Sequence, residues 1–445
     1  MAVCPESARG RAVRVIARTR PDDPANRVGF EDARRLMLAS ASPLSAETVA
    51  LGRAYGRILA RALHAVDDIV PYARSAMDGY AVRAVDTQSA TGSAVALRIV
   101  GTAFAGEMPG VLAPERAVAI ATGAPLPAGA DAVVPIERVR HIGGAAVLTA
   151  PLRSGDHVFL PGDDAKRGDV LVRRGDVITP GRAALLAAAG HAHVTVYRRP
   201  RVAIVCTGDE IVPVSERPGP GQVRNSNATM LAAHLLADGA ELVACATAAD
   251  RIGALRTALE RALAMCDLLV TTGGASVGER DLVKSTLVGL GARFAFRSVA
   301  MRPAKPAAFA LVGITPVAVL PGNPAAAFVG YAALVRGIAR RLAGHRVAFT
   351  PAVPARLEGT IHAKADRHFI LFGSARHKSA ALSVLPVDNQ CSSLVRTSAD
   401  ANCLIVVPPG SGDLEPGATV LVELLDRTAL GMFDQQDDYQ LDGVR

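Results

Sequence analysis

Residues 201–342 constrain this chain more than any other stretch. Val202-Ala203-Ile204-Val205-Cys206 is an unbroken apolar run. A run that short, without polar alternation, reads as a strand covered on both faces, the signature of a parallel sheet. Helical spacing follows over 227–237 and stops at Gly239. Residues 242–246 are a second strand, and 251–265 a helix with apolar residues at 252, 255, 259 and 263. Residues 268–271 are a third strand, 282–290 a helix and 317–320 a fourth strand, after which Pro324 opens a helix to about Leu342. Such alternation predicts an α/β core built on an open, mostly parallel sheet.

The rest of the chain has other textures, so the fold class is α/β multidomain. Residues 28–69, joined by 158–198, read as a helical stalk. Helical periodicity runs from Phe30 to Ala62, interrupted at Pro43, with Ser45 as a possible cap and Val49, Leu51, Ile58 and Leu59 continuing the stripe. Thr179-Pro180-Gly181 marks a second helix start, with Thr as N-cap, Pro at the first helical position and Gly190 as the stop. Residues 70–157 read as a β insert of short apolar runs between Gly/Pro turns, with Gly143-Gly144 as a hairpin turn. Residues 199–345 are the α/β domain and 346–427 a small C-terminal β domain. Residues 1–27, which carry Arg9, Arg11, Arg14, Arg18 and Arg20, are expected to be an unstructured extension, and 428–445 a loose polar tail.

Composition narrows the functional classes. Trp is absent and aromatics are 4%, which disfavours a stacking surface for single-stranded nucleic acid. The net charge of +8 comes from basic residues scattered along the chain, all but five of them Arg, so no nucleic-acid groove is indicated. Arg nonetheless suits an anionic ligand by its bidentate geometry. The six Cys form no C-x-x-C pair, and no Cys/His set has zinc spacing. Cys206, Cys245 and Cys266 are expected to be buried thiols in a reducing, cytoplasmic setting. The uncharged stretch 316–335 is broken by Pro321-Gly322-Asn323-Pro324, so it is a strand, a turn and a helix and not a membrane span.

Open α/β sheets bind ligands beyond the carboxyl ends of their strands. Four polar features fall there: Thr207-Gly208-Asp209-Glu210; Asp250; the stretch from Thr272-Gly273-Gly274 through Ser276 and Gly278 to Asp281; and Pro321-Gly322-Asn323-Pro324. The glycines allow the backbone to approach a phosphate, and the amides with the following helix N-terminus make an anion cradle. Asp209, Asp250 and Asp281 beside such a cradle suit a hard cation such as Mg²⁺. Asp250 and Asp281 also precede helices, so either can be an N-cap instead.

Taken in order, the motifs resemble the MoeA family, the molybdopterin molybdenumtransferases, which includes the E domain of gephyrin. Ser75-Ala76-Met77-Asp78-Gly79-Tyr80-Ala81-Val82 is similar to the family's most specific signature. Thr122-Gly123-Ala124-Pro125-Leu126-Pro127-Ala128-Gly129, Cys206-Thr207-Gly208-Asp209-Glu210 and the 273–281 loop with Lys284 follow. Pro303-Ala304-Lys305-Pro306 and Pro321-Gly322-Asn323-Pro324 complete the set. The resemblance spans residues 28–427. It implies an enzyme that takes adenylylated molybdopterin and molybdate, inserts molybdenum at the dithiolene and releases AMP, with Mg²⁺ assisting. By the same resemblance Asp78, Thr122 and Asp281 are catalytic, the first two reaching the site from the other subunit of a homodimer. Gly273, Gly274, Ser276, Gly278, Lys284, Arg302, Lys305, Pro321 and Asn323 bind substrate. Asp209, Asp250, Asp281 and Asp164 are metal-site positions, and the product passes to molybdoenzymes or their chaperones.

The chain departs from the family in places. Ala73-Arg74 stands where the family has Asp-Asn, Arg302 stands where Lys is common, and Arg367 in Asp366-Arg367-His368-Phe369 matches an Arg-containing motif only loosely. Two other classes compete: a non-catalytic molybdopterin carrier or scaffold, and an enzyme that makes the adenylylated intermediate. AMP release from adenylylated molybdopterin separates the three.

Overall fold

Helix α1 covers Phe30–Ala39 and goes no further. The computed structural model describes residues 27–274, 282–364, 366–378 and 381–425. Glu31 and Asp32 sit in the first turn of α1, where the helix dipole favours carboxylates. Phe30, Ala33 and Met37 share one buried face, packed in a single core with Val202, Ile204 and Leu334.

The helix expected to continue to Ala62 is instead a strand, Ala46–Ala50, and a 3₁₀ turn, Leu51–Arg53. Pro43 ends helical geometry, and Thr48-Val49 prefer extended backbone. The helical stalk is therefore corrected. Across 158–198 the α-helix is α2 (Pro180–Ala188), whose Thr179 hydroxyl oxygen accepts the Arg182 N–H at 3.4 Å. The neighbouring segments form two-stranded ladders, Leu63–His64 with Val170–Val172 and Arg74–Ser75 with Val158–Phe159.

The chain divides into two compact units, 48–55 with 61–195, and the remainder. The first contains a six-stranded sheet: β1 (Gly79–Val82), β2 (Val95–Ala103), β3 (Arg116–Ile120), β4 (Ala132–Pro135), β5 (Arg140–Ile142) and β6 (Ala145–Leu148), in the order β4-β1-β3-β2-β6-β5. Gly143-Gly144 turns β5 antiparallel onto β6. A side chain at Gly79 would place its Cβ 2.0 Å from the Val134 carbonyl oxygen, so the β1–β4 pairing requires glycine there.

The second unit holds the α/β core. Strands β7 (Arg201–Thr207), β8 (Glu241–Ala248), β9 (Leu268–Thr272), β10 (Arg293–Phe296), β11 (Ala308–Val312) and β12 (Thr315–Leu320) lie in the order β8-β7-β9-β12-β11-β10. The β7–β8, β7–β9 and β9–β12 pairs are parallel, and β11–β12 and β10–β11 antiparallel. The expected sheet thus carries an antiparallel edge, whose strands have mixed patterns that sequence periodicity does not reveal. Helices α3 (Ser226–Ala237), α4 (Ile252–Leu263), α5 (Leu282–Gly289) and α6 (Pro324–Gly330) accompany it, and a π-helical segment, Tyr331–Val335, joins α6 to α7 (Arg336–Leu342). β8 is an edge strand, which leaves Cys245 exposed and corrects the expectation that it is buried; Cys206 and Cys266 are buried. Burial pushes the Cys206 thiol up to about 11, so it is no nucleophile at neutral pH.

The C-terminal strands are β13 (Val353–Leu357), β14 (His368–Lys378), β15 (Ala381–Pro386), β16 (Cys403–Val407) and β17 (Thr419–Leu424). Pairing runs β14-β15-β13-β17-β16 and returns to β14, which closes a small barrel. Met301–Arg302, from the α/β core, adds to this barrel as a short strand parallel to β14, with Met301 opposite His368 and Arg302 opposite Phe369. No helix among the described residues is long and apolar enough to cross a membrane.

Candidate active site

Three strands of the core end in loops that touch. A Cβ on Gly273, at φ +93°, would sit 2.1 Å from the Thr207 carbonyl oxygen, so the loops after β7 and β9 meet backbone to backbone. A Cβ on Gly322, after β12, would lie 3.3 Å from the Gly273 Cα. Asn227, on α3, ties these turns together. Its Nδ2 donates to Thr272 Oγ1 at 3.0 Å and to the Gly322 carbonyl at 2.8 Å, while the Thr272 hydroxyl donates to the Pro321 carbonyl at 2.8 Å. In sequence Asn227 reads only as a helix residue; nothing local marks it as the clamp of two loops.

Asp250 is not the cap of α4. The N-cap position is Arg251, and no side chain caps it. Asp250 instead accepts a hydrogen bond from the Thr207 hydroxyl, and its backbone N–H donates to Asp209 Oδ1 at 3.0 Å. Both carboxylates are exposed at the sheet edge. Ser276, Gly278 and Asp281 lie outside the described residues. Lys284 is buried in α5.

The test for Mg²⁺ is the donor set. Asp209 and Asp250 offer hard carboxylate oxygens from adjacent loops, and the second oxygen of each takes no hydrogen bond among the described residues. No group of three His, Cys, Asp or Glu residues gathers around a common point among the described residues. Two carboxylates completed by phosphate and water oxygens is the set Mg²⁺ commonly uses, so these residues fit it. Asp164 is exposed and belongs to the other compact unit, with Asp78 and Thr122.

A cleft of about 830 Å³ opens between the core loops and the barrel. From the core it is lined by Arg302, Lys305, Pro321 and Asn323, and from the barrel side by Arg367, Phe369, Gln390, Cys391 and Ser392. The turn 321–323 therefore faces two ways: Gly322 closes on Gly273, while Pro321 and Asn323 line the cleft. Arg302 and Lys305 are exposed, and the Arg302 guanidinium lies 5.8 Å from the centre of the Phe369 ring. Arg367 donates to Asp366 through Nε at 2.7 Å, a pair that raises the guanidinium and lowers the carboxylate from their ordinary values. Sequence reading missed Gln390, Cys391 and Ser392; Asn389-Gln390-Cys391-Ser392 looks like a plain polar loop until the barrel brings it to the cleft.

In the other unit, Asp78 follows the turn made by Ser75, whose hydroxyl donates to the Met77 carbonyl. Asp78 Oδ1 accepts from both the backbone N–H and the hydroxyl of Thr122, at 2.7 and 2.8 Å. These bonds, the backbone one first, hold the Asp78 carboxyl below its usual range.

Three family models match the chain in order. Residues 28–190 match the description MoeA N-terminal region (domain I and II), 203–341 probable molybdopterin binding domain, and 354–425 MoeA C-terminal region (domain IV). A Staphylococcus aureus protein named molybdopterin molybdenumtransferase is 32% identical over 407 residues, covering 91% of this chain and 97% of the relative. The chain belongs to the MoeA family. A Bacillus subtilis member of the same name is 36% identical over 387 residues, covering 85% of this chain and 90% of the relative. The crystal structure titled molybdopterin biosynthesis MoeA protein from Pyrococcus horikoshii superimposes with a TM-score of 0.75 at 30% identity, covering 90% of this chain and 99% of that one.

Proposed function

We propose that this MoeA-family chain is a molybdopterin molybdenumtransferase of molybdenum cofactor biosynthesis: it inserts molybdenum from molybdate into adenylylated molybdopterin and releases AMP. The observation that carries the reading is the cleft where Arg302, Lys305 and Arg367 converge beside the Gly273–Gly322 contact. A cleft of this volume accommodates a pterin-sized ligand. Its cations suit both substrates, a tetrahedral oxyanion and a phosphoanhydride, and charge-assisted hydrogen bonds to them are the strong kind.

Each group has a task. Arg302 and Lys305 hold the oxyanion, and Asn323 and Ser392 orient it through neutral hydrogen bonds. The tight backbone at Gly273 lets phosphate oxygens approach the amides of Gly273 and Gly274. Asp209 and Asp250 would hold Mg²⁺, which when bound polarises the phosphoanhydride as a Lewis acid. Thr207 fixes the orientation of Asp250. Asp78, kept ionised by Thr122, serves the cleft of a second copy in a homodimer, where a carboxylate positions the water that attacks phosphorus.

The test is a single-turnover assay with adenylylated molybdopterin, Mg²⁺ and molybdate or tungstate, following AMP by chromatography. AMP release that requires the oxyanion is the expected outcome. Binding without AMP release would establish a carrier, and ATP consumption in a parallel assay with molybdopterin and ATP would establish an adenylyl-transferring enzyme.

A further inference from the structure

One side chain sets the wall of the cleft formed by residues 387–392. Gln390 reaches back to β14: its Oε1 accepts the Phe372 N–H at 3.0 Å, and its Nε2 donates to the carbonyls of Phe372 at 2.8 Å and Val387 at 2.7 Å. The amide thus satisfies both backbone groups of Phe372, as a neighbouring strand would. The Val387 N–H adds a bond to the Phe372 carbonyl at 3.0 Å. Two residues beyond Gln390, the Ser392 carbonyl accepts the Ala325 N–H in the first turn of α6 at 3.1 Å, and Ser392 Oγ lies 3.5 Å from Asn323 Nδ2. The segment is therefore a strap, tied to the barrel through Gln390 and to the core through Ser392.

We propose that Gln390 is a positioning residue of the cleft: it fixes the strap so that Ser392 stays against Asn323. The proposal rests on reading the cleft as the oxyanion site. Asn402 supplies an internal control. Its amide pairs in the same way with the N–H and carbonyl of Ala375 on β14, both at 2.7 Å, but it is buried and does not line the cleft.

The experiment compares full-length wild type, Gln390→Ala and Asn402→Ala by molybdate calorimetry, thermal melting and amide hydrogen exchange. Losing the strap's anchor should weaken molybdate binding about tenfold in Gln390→Ala and speed exchange at the Ala325 amide. Asn402→Ala should lower the melting temperature and leave molybdate affinity unchanged. Unchanged affinity in Gln390→Ala, or equal weakening in both variants, overturns the proposal. Should Gln390→Ala not fold, Gln390→Glu carries the same expectation, because it keeps the acceptor for Phe372 N–H but sets an oxygen against two carbonyls. If wild type binds no molybdate, the oxyanion reading of the cleft fails. Ala325 exchange then decides alone: faster exchange in the variant supports the positioning role, and unchanged exchange removes it.

Discussion

Thr122 gives two hydrogen bonds to a single oxygen of Asp78, one from its backbone N–H and one from its hydroxyl. The pair joins two motifs 44 residues apart in the chain. Both bonds favour the ionised carboxylate, so the folded value lies below the ordinary one. Their contribution to stability is present above the unfolded carboxyl's value and is lost as pH falls through the folded one. Thr122→Val deletes the hydroxyl and keeps the backbone bond. Carboxyl carbon NMR should then show Asp78 titrating higher than in wild type, part of the way back to its ordinary value. An unmoved titration means the hydroxyl contributes nothing.

The proposed sharing of the site between subunits predicts complementation. Asp78→Asn and Lys305→Ala should each be inactive, and differently tagged mixed dimers of the two should recover activity. One site of each mixed dimer would then carry neither lesion, giving about half the wild-type rate per dimer. Confirmed mixed dimers that stay dead rule out a shared site.

Backbone contact at the cradle predicts a steep difference between two glycines. Gly273→Ala meets both a left-handed φ and a carbonyl 2.1 Å away, whereas Gly322→Ala has 3.3 Å to the nearest atom. The first should cost at least about 2 kcal/mol, measured by chemical denaturation, and the second clearly less. Equal costs would mean that the loops after β7 and β9 are free to separate.

Acid should weaken the core through His234 and His345. Burial, followed by the charge of Arg336, lowers His234 to about 4, although Asp238 pulls the other way. His345 is likewise lowered to about 4, by burial and then Arg340. Both are neutral when folded, so the unfolded chain binds more protons between the ordinary histidine value and about 4. Stability is full above the ordinary value and declines as pH falls through that window. His234 stacks on Tyr331 with ring centres 4.8 Å apart, so His234→Phe keeps an aromatic ring there. The variant should show a shallower loss of melting temperature below pH 6.5 than wild type. An identical slope would assign the effect elsewhere.

Local signals in the sequence translated well where a single segment decides its own structure. The unbroken run 202–206 became a central parallel strand, and Thr179-Pro180 became a capped helix start. The described residues of the four polar loops were legible as neighbours because the ends of parallel strands bring them to one edge. What could not be read depends on distant partners. Gln390 and Asn227 act by bonding backbone far away in the chain, and no periodicity encodes that. Asp250 is compatible in sequence with either a cap or a ligand, and only the folded chain, in which Arg251 takes the N-cap position and Asp250 bonds to Thr207, removes the cap reading. The false helix over 45–62 arose because spaced apolar residues on short strands can mimic a helical stripe.

The two-residue strand Met301–Arg302 has a mechanical consequence. It belongs to the α/β core by chain and to the barrel by hydrogen bonding, and Arg302 itself lines the cleft. The jaws of the cleft are thereby stitched at their base. A swing of the barrel about residues 343–352 would have to break that ladder. The register also sets the backbone of Arg302 beside Phe369, two residues after Arg367, so the two cations start from neighbouring strands before any substrate arrives.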